Sequence, residues 1–347
     1  MIIDVIIFLA VLAVLVLVHE FGHFVVARLS NMRVEEFGFG FPPRIKGWMK
    51  NGVLWSINAI PLGGFVKIAG EDGQSSEIIQ NNESIGAPQN FAARPIWQRA
   101  LVLFAGVAMN FVLGWALLSI IFMVGSEPSI VVTDVAPGSP AAQVGIEAGD
   151  IILEHQEVDQ FVSYINQHKG KEIALSLRHS GEKKDIVVVP RENPPIGEGA
   201  LGVALSNGGV ERMSIPSALW EALKSAGRIF SFIYVMLFKL VASIFGGESL
   251  WGQVSGPIGI FKATSQAAGL GFLYVLNLVA LISLNLAAIN IFPFPALDGG
   301  RIIFLIAEKI KGSPVSTQVQ QIVNGVGFGL LLLLMLVVTV KDVVKLL

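Results

Sequence analysis

The sequence predicts a mainly α-helical membrane protein with four transmembrane helices, one of them broken, and a small α+β domain outside the membrane. Of the 347 residues, 53% are hydrophobic and only 14% are charged, against roughly 25% charged residues in an ordinary soluble domain. A soluble fold with a mean hydropathy of +0.67 would expose large apolar patches, which soluble monomers avoid. Four apolar runs also have the length of about 20 residues that crosses a bilayer.

The four runs lie near residues 5–28, 100–125, 270–292 and 325–340. No Lys or Arg precedes the first run, and no small-residue cleavage signature follows it. These features predict a retained span rather than a cleaved signal peptide.

The polar stretches between the runs predict the orientation. Residues 30–97 are rich in Lys and Arg, which the positive-inside rule places in the cytoplasm. Both termini and residues 126–213 would then lie outside the membrane. Within 126–213, the alternating stretch 130–135, the turn residues 138–140 and the β-rich run 186–189 predict an α+β domain of about 80 residues.

Residues 216–246 are apolar, but four charged residues interrupt them and leave ten uncharged residues from Ile229 to Phe238. That stretch is too short to span a bilayer. A crossing here would also place the basic residues after the third run outside, against the orientation rule. We therefore expect an amphipathic helix lying in the membrane interface.

The third run is broken by Pro293, Pro295, Gly299 and Gly300. Proline removes a backbone donor and clashes with the preceding turn, so a helix should end near Phe292. Irregular backbone at membrane depth is tolerated where it is buried in protein or lines a wet cavity. The break therefore marks a candidate functional site.

The composition limits the chemistry. The formal net charge is −2, from 24 basic and 26 acidic residues, so no overall positive field favours nucleic acid. The chain has no cysteine, which excludes disulfides and Cys-based metal sites. A metal would have to be held by His, Asp or Glu.

The first run contains such a metal motif, His19-Glu20-Phe21-Gly22-His23. On a helix His19 and His23 lie four residues apart on one face, so both imidazoles can reach one metal ion. Glu20 can take a proton from water at the metal, as a general base does in metal-assisted hydrolysis. The alternative is a buried polar network that holds helices together, although ionisable residues within apolar spans are usually functional.

Two histidines leave a catalytic zinc site one ligand short, because such sites usually have three protein ligands and an open position for water. Asp298, at the Pro- and Gly-rich break, is the candidate for the third ligand. It could instead, or in addition, cap the helix predicted from Gly299 to Ile310.

These two motifs together resemble those of the site-2 protease family of intramembrane zinc metalloproteases, in its bacterial RseP-type branch. The pattern His19-Glu20-x-x-His23 is paired with Asn290-x-x-Pro293-x-Pro295-x-Leu297-Asp298-Gly299. Further matches are Phe37-Gly-Phe-Gly-Phe-Pro-Pro43, Ile60-Pro-Leu-Gly-Gly-Phe-Val-Lys67, Gln98-Arg-Ala100 leading to Asn110, and Ser255-Gly-Pro-Ile-Gly259.

The resemblance implies that His19, His23 and Asp298 ligate Zn2+ and that Glu20 activates water. It associates Asn290 with the substrate or the reaction centre. From its chemistry Asn290 could donate to an oxyanion or hold an unwound peptide, and a helix-packing hydrogen bond is an equal alternative.

Two further regions resemble parts of this family. Residues 53–68 resemble its cytoplasmic, membrane-associated β-hairpin, with two β-prone runs around Pro61-Leu-Gly-Gly64. An edge strand there could hold an unwound substrate by β-augmentation, and an ordinary structural hairpin is the alternative. Residues 135–145 and 149–153 resemble a PDZ domain, but the usual strand-turn-strand with an Asn-Gly turn is missing after Leu153.

We therefore divide the chain into residues 1–125, the PDZ-like domain 126–213, the amphipathic segment 214–262 and the last two spans 263–347. The expected function is zinc-dependent cleavage of transmembrane segments of single-span proteins in the bacterial inner membrane, in regulated proteolysis such as anti-sigma factor processing after a first external cleavage. The partners would be these substrates and the bilayer, with no nucleic acid; the oligomeric state is open.

The alternatives are a non-enzymatic membrane scaffold and a metal transporter using the same metal site. The first is disfavoured by the open zinc position and the second by the lack of internal repeats.

Overall fold

A computed structural model describes residues 2–71, 89–179, 182–195, 197–246 and 256–344. The chain divides into two compact units. The first comprises Met1–Ala116, Leu223–Phe261 and Val279–Leu347, and the second comprises Leu117–Ala222 and Lys262–Leu278. Ser255, which begins one of the segments that carry the family resemblance, lies outside the described residues.

Helices dominate the described residues. They are α1 (Ile2–Leu29), α2 (Ile96–Val124), α3 (Pro140–Gln143), α4 (Val158–Gln167), α5 (Ile215–Gly246), α6 (Pro257–Leu270), α7 (Phe272–Asn290), α8 (Asp298–Lys311) and α9 (Thr317–Val344). By length and composition, α1, α2, α5, α7 and α9 could each cross a membrane. Four of these coincide with the predicted spans. The fifth candidate is α5, and its location in the membrane interface stays a prediction.

Local sequence signals explain where the first two long helices begin and end. After α1, Asn31 has φ +54°, the amide of Met32 donates to the carbonyl of Ala27 at 2.9 Å, and the amide of Asn31 donates to that of Arg28 at 3.0 Å. This is the Schellman arrangement, in which a left-handed residue ends the helix. Helix α2 follows Pro95, a residue favoured at helix starts because it lacks an amide donor.

In the first unit, two long strands, β1 (Val34–Lys50) and β2 (Val53–Ile68), form an antiparallel sheet. Their connection is Asn51-Gly52, with φ +52° and +77°. Positive φ at both central residues is the signature of the type I′ hairpin turn, which an Asn-Gly pair favours.

The predicted hairpin within residues 53–68 is wrong in its pairing. The two β-prone runs belong to the single strand β2, and they lie on either side of residues 36–39 of β1: Phe37, for example, pairs with both Trp55 and Val66. Residues 64–68 of β2 therefore have β1 on one side, and among the described residues they have no partner strand on the other side. The prediction missed the turn at Asn51-Gly52 and therefore paired the wrong segments.

The second unit contains an antiparallel sheet with strand order β6-β5-β4-β3-β7. Its strands are β3 (Ser126–Val135), β4 (Ile151–Ile152), β5 (Ile173–His179), β6 (Glu182–Val188) and β7 (Val203–Val210). Side chains from alternating strand positions pack with Phe161 and Ile165 of α4 to form the core. An α+β module therefore occupies this part of the chain, as its alternating apolar pattern predicts.

The third apolar run is broken as predicted. Helix α7 ends at Asn290 and α8 begins at Asp298, so residues 291–297 form a connecting segment, called the α7–α8 segment below. Gly299 and Gly300 let this segment lie close to the start of α8, because a Cβ built on Gly300 would lie 2.8 Å from the carbonyl carbon of Phe294.

Candidate active site

The helical spacing of α1 brings His19 and His23 together. Their Nε2 atoms lie 3.2 Å apart, and their rings contact edge to face with centroids 4.8 Å apart. His23 is buried and His19 is partly buried. The two imidazoles therefore point at one place, as the four-residue spacing predicts.

Asp298 reaches the same place from the start of α8. Its Oδ2 atom lies 3.2 Å from Nε2 of His19 and 3.5 Å from Nε2 of His23. The predicted capping role of Asp298 is wrong: the residue at the N-terminal cap position is Leu297, whose side chain makes no capping hydrogen bond. Asp298 is the first residue inside the helix, and its carboxylate faces the two histidines.

The three donor atoms fit a zinc ion. Zinc binds nitrogen and oxygen ligands at about 2.0–2.2 Å in a tetrahedron, which separates neighbouring ligand atoms by about 3.3 Å. The observed separations are 3.2, 3.2 and 3.5 Å. In addition, the buried Oδ2 atom of Asp298 has no hydrogen-bond partner among the described residues. A buried carboxylate oxygen without such a partner is costly, and a cation held there would satisfy it.

Helix α2 supports the two histidines through residues spaced four apart on one face. The Nδ1 atom of His23 donates a hydrogen bond to the carbonyl oxygen of Val102 at 2.8 Å. One turn later, a Cβ built on Gly106 would lie 2.7 Å from Cε1 of both imidazoles. A glycine is therefore required at 106 for the rings to occupy their positions.

Asn110, a further turn along α2, is fully buried and lies beside His19. Its Nδ2 atom is 3.4 Å from Nδ1 of His19, while its Oδ1 atom has no partner among the described residues. A histidine that offers Nε2 to a metal carries its proton on Nδ1 and needs an acceptor there. Rotation of the amide by 180° would supply that acceptor and give Oδ1 a partner, since the two ends of an amide have nearly the same shape.

Glu20 and Asn290 line the cavity into which the metal-binding atoms face, a space of about 850 Å³. The Nδ2 atom of Asn290 lies 3.4 Å from Nε2 of His19. The backbone of β2 passes close to Glu20, because a Cβ built on Gly64 would lie 3.6 Å from its Cγ atom. The next four residues of β2, residues 65–68, line the same cavity.

The structure brings together all five residues predicted for the site: His19, Glu20, His23, Asn290 and Asp298. Sequence reasoning missed the contribution of α2. Asn110 lies in a segment that resembles the family but has no predicted role, and no sequence motif points to Gly106. A buried amide within a long apolar run is a usable signal, because polar side chains in such helices usually bond across helices.

The site combines an HExxH motif, an acidic residue as third metal donor and a cavity, all among long apolar helices. This combination defines the class of membrane-embedded metal-dependent hydrolases. The chain belongs to peptidase family M50, the site-2 proteases, whose family model matches residues 7–334.

Relatives of similar length carry zinc metalloprotease names. Zinc metalloprotease RasP of Oceanobacillus iheyensis is 30% identical over 98% of this chain and 98% of its own length. A provisionally named zinc metalloprotease of Nostoc sp. is 36% identical over 97% of this chain and 95% of its own length. Another, from Brucella suis, is 34% identical over 92% and 90%. The protein is thus an intramembrane zinc metalloprotease of the bacterial inner membrane that acts on membrane proteins.

Proposed function

We propose that His19, His23 and Asp298 hold the zinc ion and that Glu20 is the general base in the hydrolysis of a peptide bond within or near a transmembrane segment of a single-span protein. One observation carries this proposal. The three metal-binding atoms lie within 4.8 Å of one another, and the cavity they face is also lined by Glu20 and by residues 65–68 of β2.

Bound zinc would supply a Lewis acid that polarises the scissile carbonyl and lowers the pKa of water. A carboxylate oxygen of Glu20 takes the proton from the attacking water, whose oxygen forms the new bond to the carbonyl carbon. Glu20 then passes that proton to the amide nitrogen as the C–N bond breaks, so that the leaving group departs as a neutral amine. Asn290 projects its amide into the same cavity, where its N–H could donate to the developing oxyanion or hold the unwound peptide.

A substrate must be unwound before it can be cut, because a transmembrane helix shields its peptide bonds with its own hydrogen bonds. Residues 64–68 of β2 suit this task, since β1 occupies one side of them and the cavity lies beside them. An extended substrate segment could add to the other side by β-augmentation. This arrangement would hold the scissile bond next to Glu20.

The test is a membrane proteomic comparison of cells that carry the intact protein with cells that carry Glu20→Gln. Single-span proteins should accumulate uncleaved in the variant, and the purified variant should retain its zinc, because Glu20 is not a proposed ligand. Loss of a general base should lower the cleavage rate by about 10²–10⁴-fold. The matched control is Glu211→Gln, at an exposed position outside the site, which should change neither result. Unchanged cleavage in a zinc-loaded Glu20→Gln variant would contradict the proposal.

We further propose that both termini and the PDZ-like module 126–213 lie outside the membrane. There the module would exclude substrates until another protease has removed their external bulk, as in regulated intramembrane proteolysis such as anti-sigma factor processing. The module can be deleted as a test because its two ends lie close together: the amide of Met213 donates to the carbonyl of Phe122 at 2.9 Å. Deletion of residues 127–210 should relax substrate selection and preserve zinc-dependent cleavage. Loss of all cleavage in a folded, membrane-inserted deletion would contradict the filter.

A further inference from the structure

The α7–α8 segment is held by the last helix of the chain. The amide of Ala296 donates a hydrogen bond to Oδ1 of Asn324 on α9, at 3.2 Å. Ala296 has φ +73°, in the left-handed region that residues with a side chain rarely adopt. Such a conformation persists where the surrounding structure determines it, and the hydrogen bond that Ala296 donates to Asn324 is a contact that can do so.

A second contact lies three residues further along the same face of α9. A Cβ built on Gly327 would lie 2.6 Å from the carbonyl oxygen of Pro295 and 2.8 Å from its carbonyl carbon. The backbones of α9 and of the α7–α8 segment therefore touch at this point. By contrast, a Cβ on Gly325 or on Gly329 would meet nothing within 4 Å, so the close approach on this stretch of α9 is specific to position 327.

We propose that Asn324 is a positioning residue for the metal site and that Gly327 supports it. Asp298 follows Ala296 by two residues, so the φ angle of Ala296 sets the direction from which the Asp298 carboxylate approaches the histidines. Without the hydrogen bond to Asn324, Ala296 would relax toward negative φ and turn the carboxylate of Asp298 away from Nε2 of both rings. The inference rests on the proposed function, in which Asp298 is a zinc ligand.

The experiment measures the rate at which zinc leaves the purified full-length protein in detergent when a chromogenic chelator is added. Asn324→Leu, which preserves size and removes the acceptor, should release zinc at least tenfold faster, within the roughly 10–100-fold range for loss of an outer partner of a metal ligand. Asn324→Asp keeps an acceptor oxygen and should release zinc close to the parent rate. The control Thr339→Val removes a hydroxyl on the same helix that, within the described part of the chain, bonds the carbonyl of Met335 in its own turn, and it should change nothing.

A glycine pair on α9 gives a second test that does not depend on the folding of Asn324→Leu. Gly327→Ala should accelerate zinc release, because its methyl group would displace Pro295, and Gly329→Ala should not. The Ala296→Gly background sharpens the result, since glycine adopts positive φ at little cost. In that background Asn324→Leu should accelerate release by a smaller factor than in the parent.

Parent-like zinc release from both Asn324→Leu and Gly327→Ala would overturn the inference, as would an undiminished effect of Asn324→Leu in the Ala296→Gly background. Asp298→Asn separates this failure from failure of the proposed function. If Asp298→Asn retains zinc as the parent does, the ligand assignment itself is wrong. If it loses zinc while the α9 variants do not, the inference about Asn324 alone is wrong.

Discussion

Helix α1 and the α7–α8 segment present metal-binding side chains in two different ways. On α1, His19 and His23 occupy successive turns of a regular helix, and their spacing follows from helix geometry. Asp298 instead follows seven residues of irregular backbone between two helices. Its position depends on contacts made by residues far away in the sequence, such as the hydrogen bond between Ala296 and Asn324.

The difference shows that local helix geometry places the two histidines, whereas contacts with other elements place Asp298. A periodic element carries its own geometry, so a sequence pattern is enough to recognise the His pair. An irregular segment has no repeat of its own, and close packing against other elements must determine its path. The α7–α8 segment is packed in this way, since the amide of Ala296 bonds Asn324 of α9 at 3.2 Å and Pro295 meets Gly327 of the same helix.

The largest expected effect tests whether the two regions contribute equally to metal binding. His23→Ala and Asp298→Ala should each abolish stoichiometric zinc binding, because each removes a proposed ligand. The loss of zinc affinity should exceed the roughly 10–100-fold that loss of an outer partner of a ligand costs. Zinc content per purified chain, measured by mass spectrometry, checks this prediction. The control is His155→Ala in the α+β module of residues 126–213, which should retain full zinc. Retention of zinc by Asp298→Ala alone would mean that the irregular segment supplies no ligand.

The sequence predicted the parts of this molecule that depend on periodicity or on strong local signals. These include the four long apolar helices, the HExxH pair, and the break that Pro293 and Pro295 impose on the third run. It failed in two different ways. The strand pairing was wrong because the local turn signal of Asn51-Gly52 was missed. The close approach at Gly106 involves histidines of α1 that are distant in the chain, which no local pattern encodes.

Gly106 provides a test of whether the geometry of α1 alone sets the positions of His19 and His23. Gly106→Ala would place a methyl group against both imidazoles, 2.7 Å from Cε1 of each. Overpacking of this kind typically costs about 1–3 kcal/mol, so zinc affinity should fall about 5- to 150-fold, measured by competition with a chelator of known affinity. Gly227→Ala, where a Cβ would meet nothing within 4 Å, is the matched control. An unchanged affinity in Gly106→Ala would mean that α1 sets the histidine positions without support from α2.

The smallest expected effect concerns Ser283 on α7. This helix leads into the α7–α8 segment, and Ser283 bonds α2, the helix that supports the histidines of α1. Its hydroxyl donates to the carbonyl of Asn110 at 2.7 Å, and both residues are buried, so this bond ties α7 to α2. Ser283→Ala should lower the free energy of unfolding in detergent by about 1 kcal/mol, the net value of one such hydrogen bond.

Zinc release from Ser283→Ala should match that of the parent, because Asn110 still meets His19 through its side chain and the α7–α8 segment still meets Asn324. Thr339→Val, which removes an exposed hydroxyl, should change neither measurement. If Ser283→Ala released zinc as fast as Asn324→Leu, the packing of α7 on α2 would control the ligand geometry. The position of the α7–α8 segment would then be set by a regular helix, α7. The placement of Asp298 would differ less from that of the histidines than the difference between their two backbones suggests.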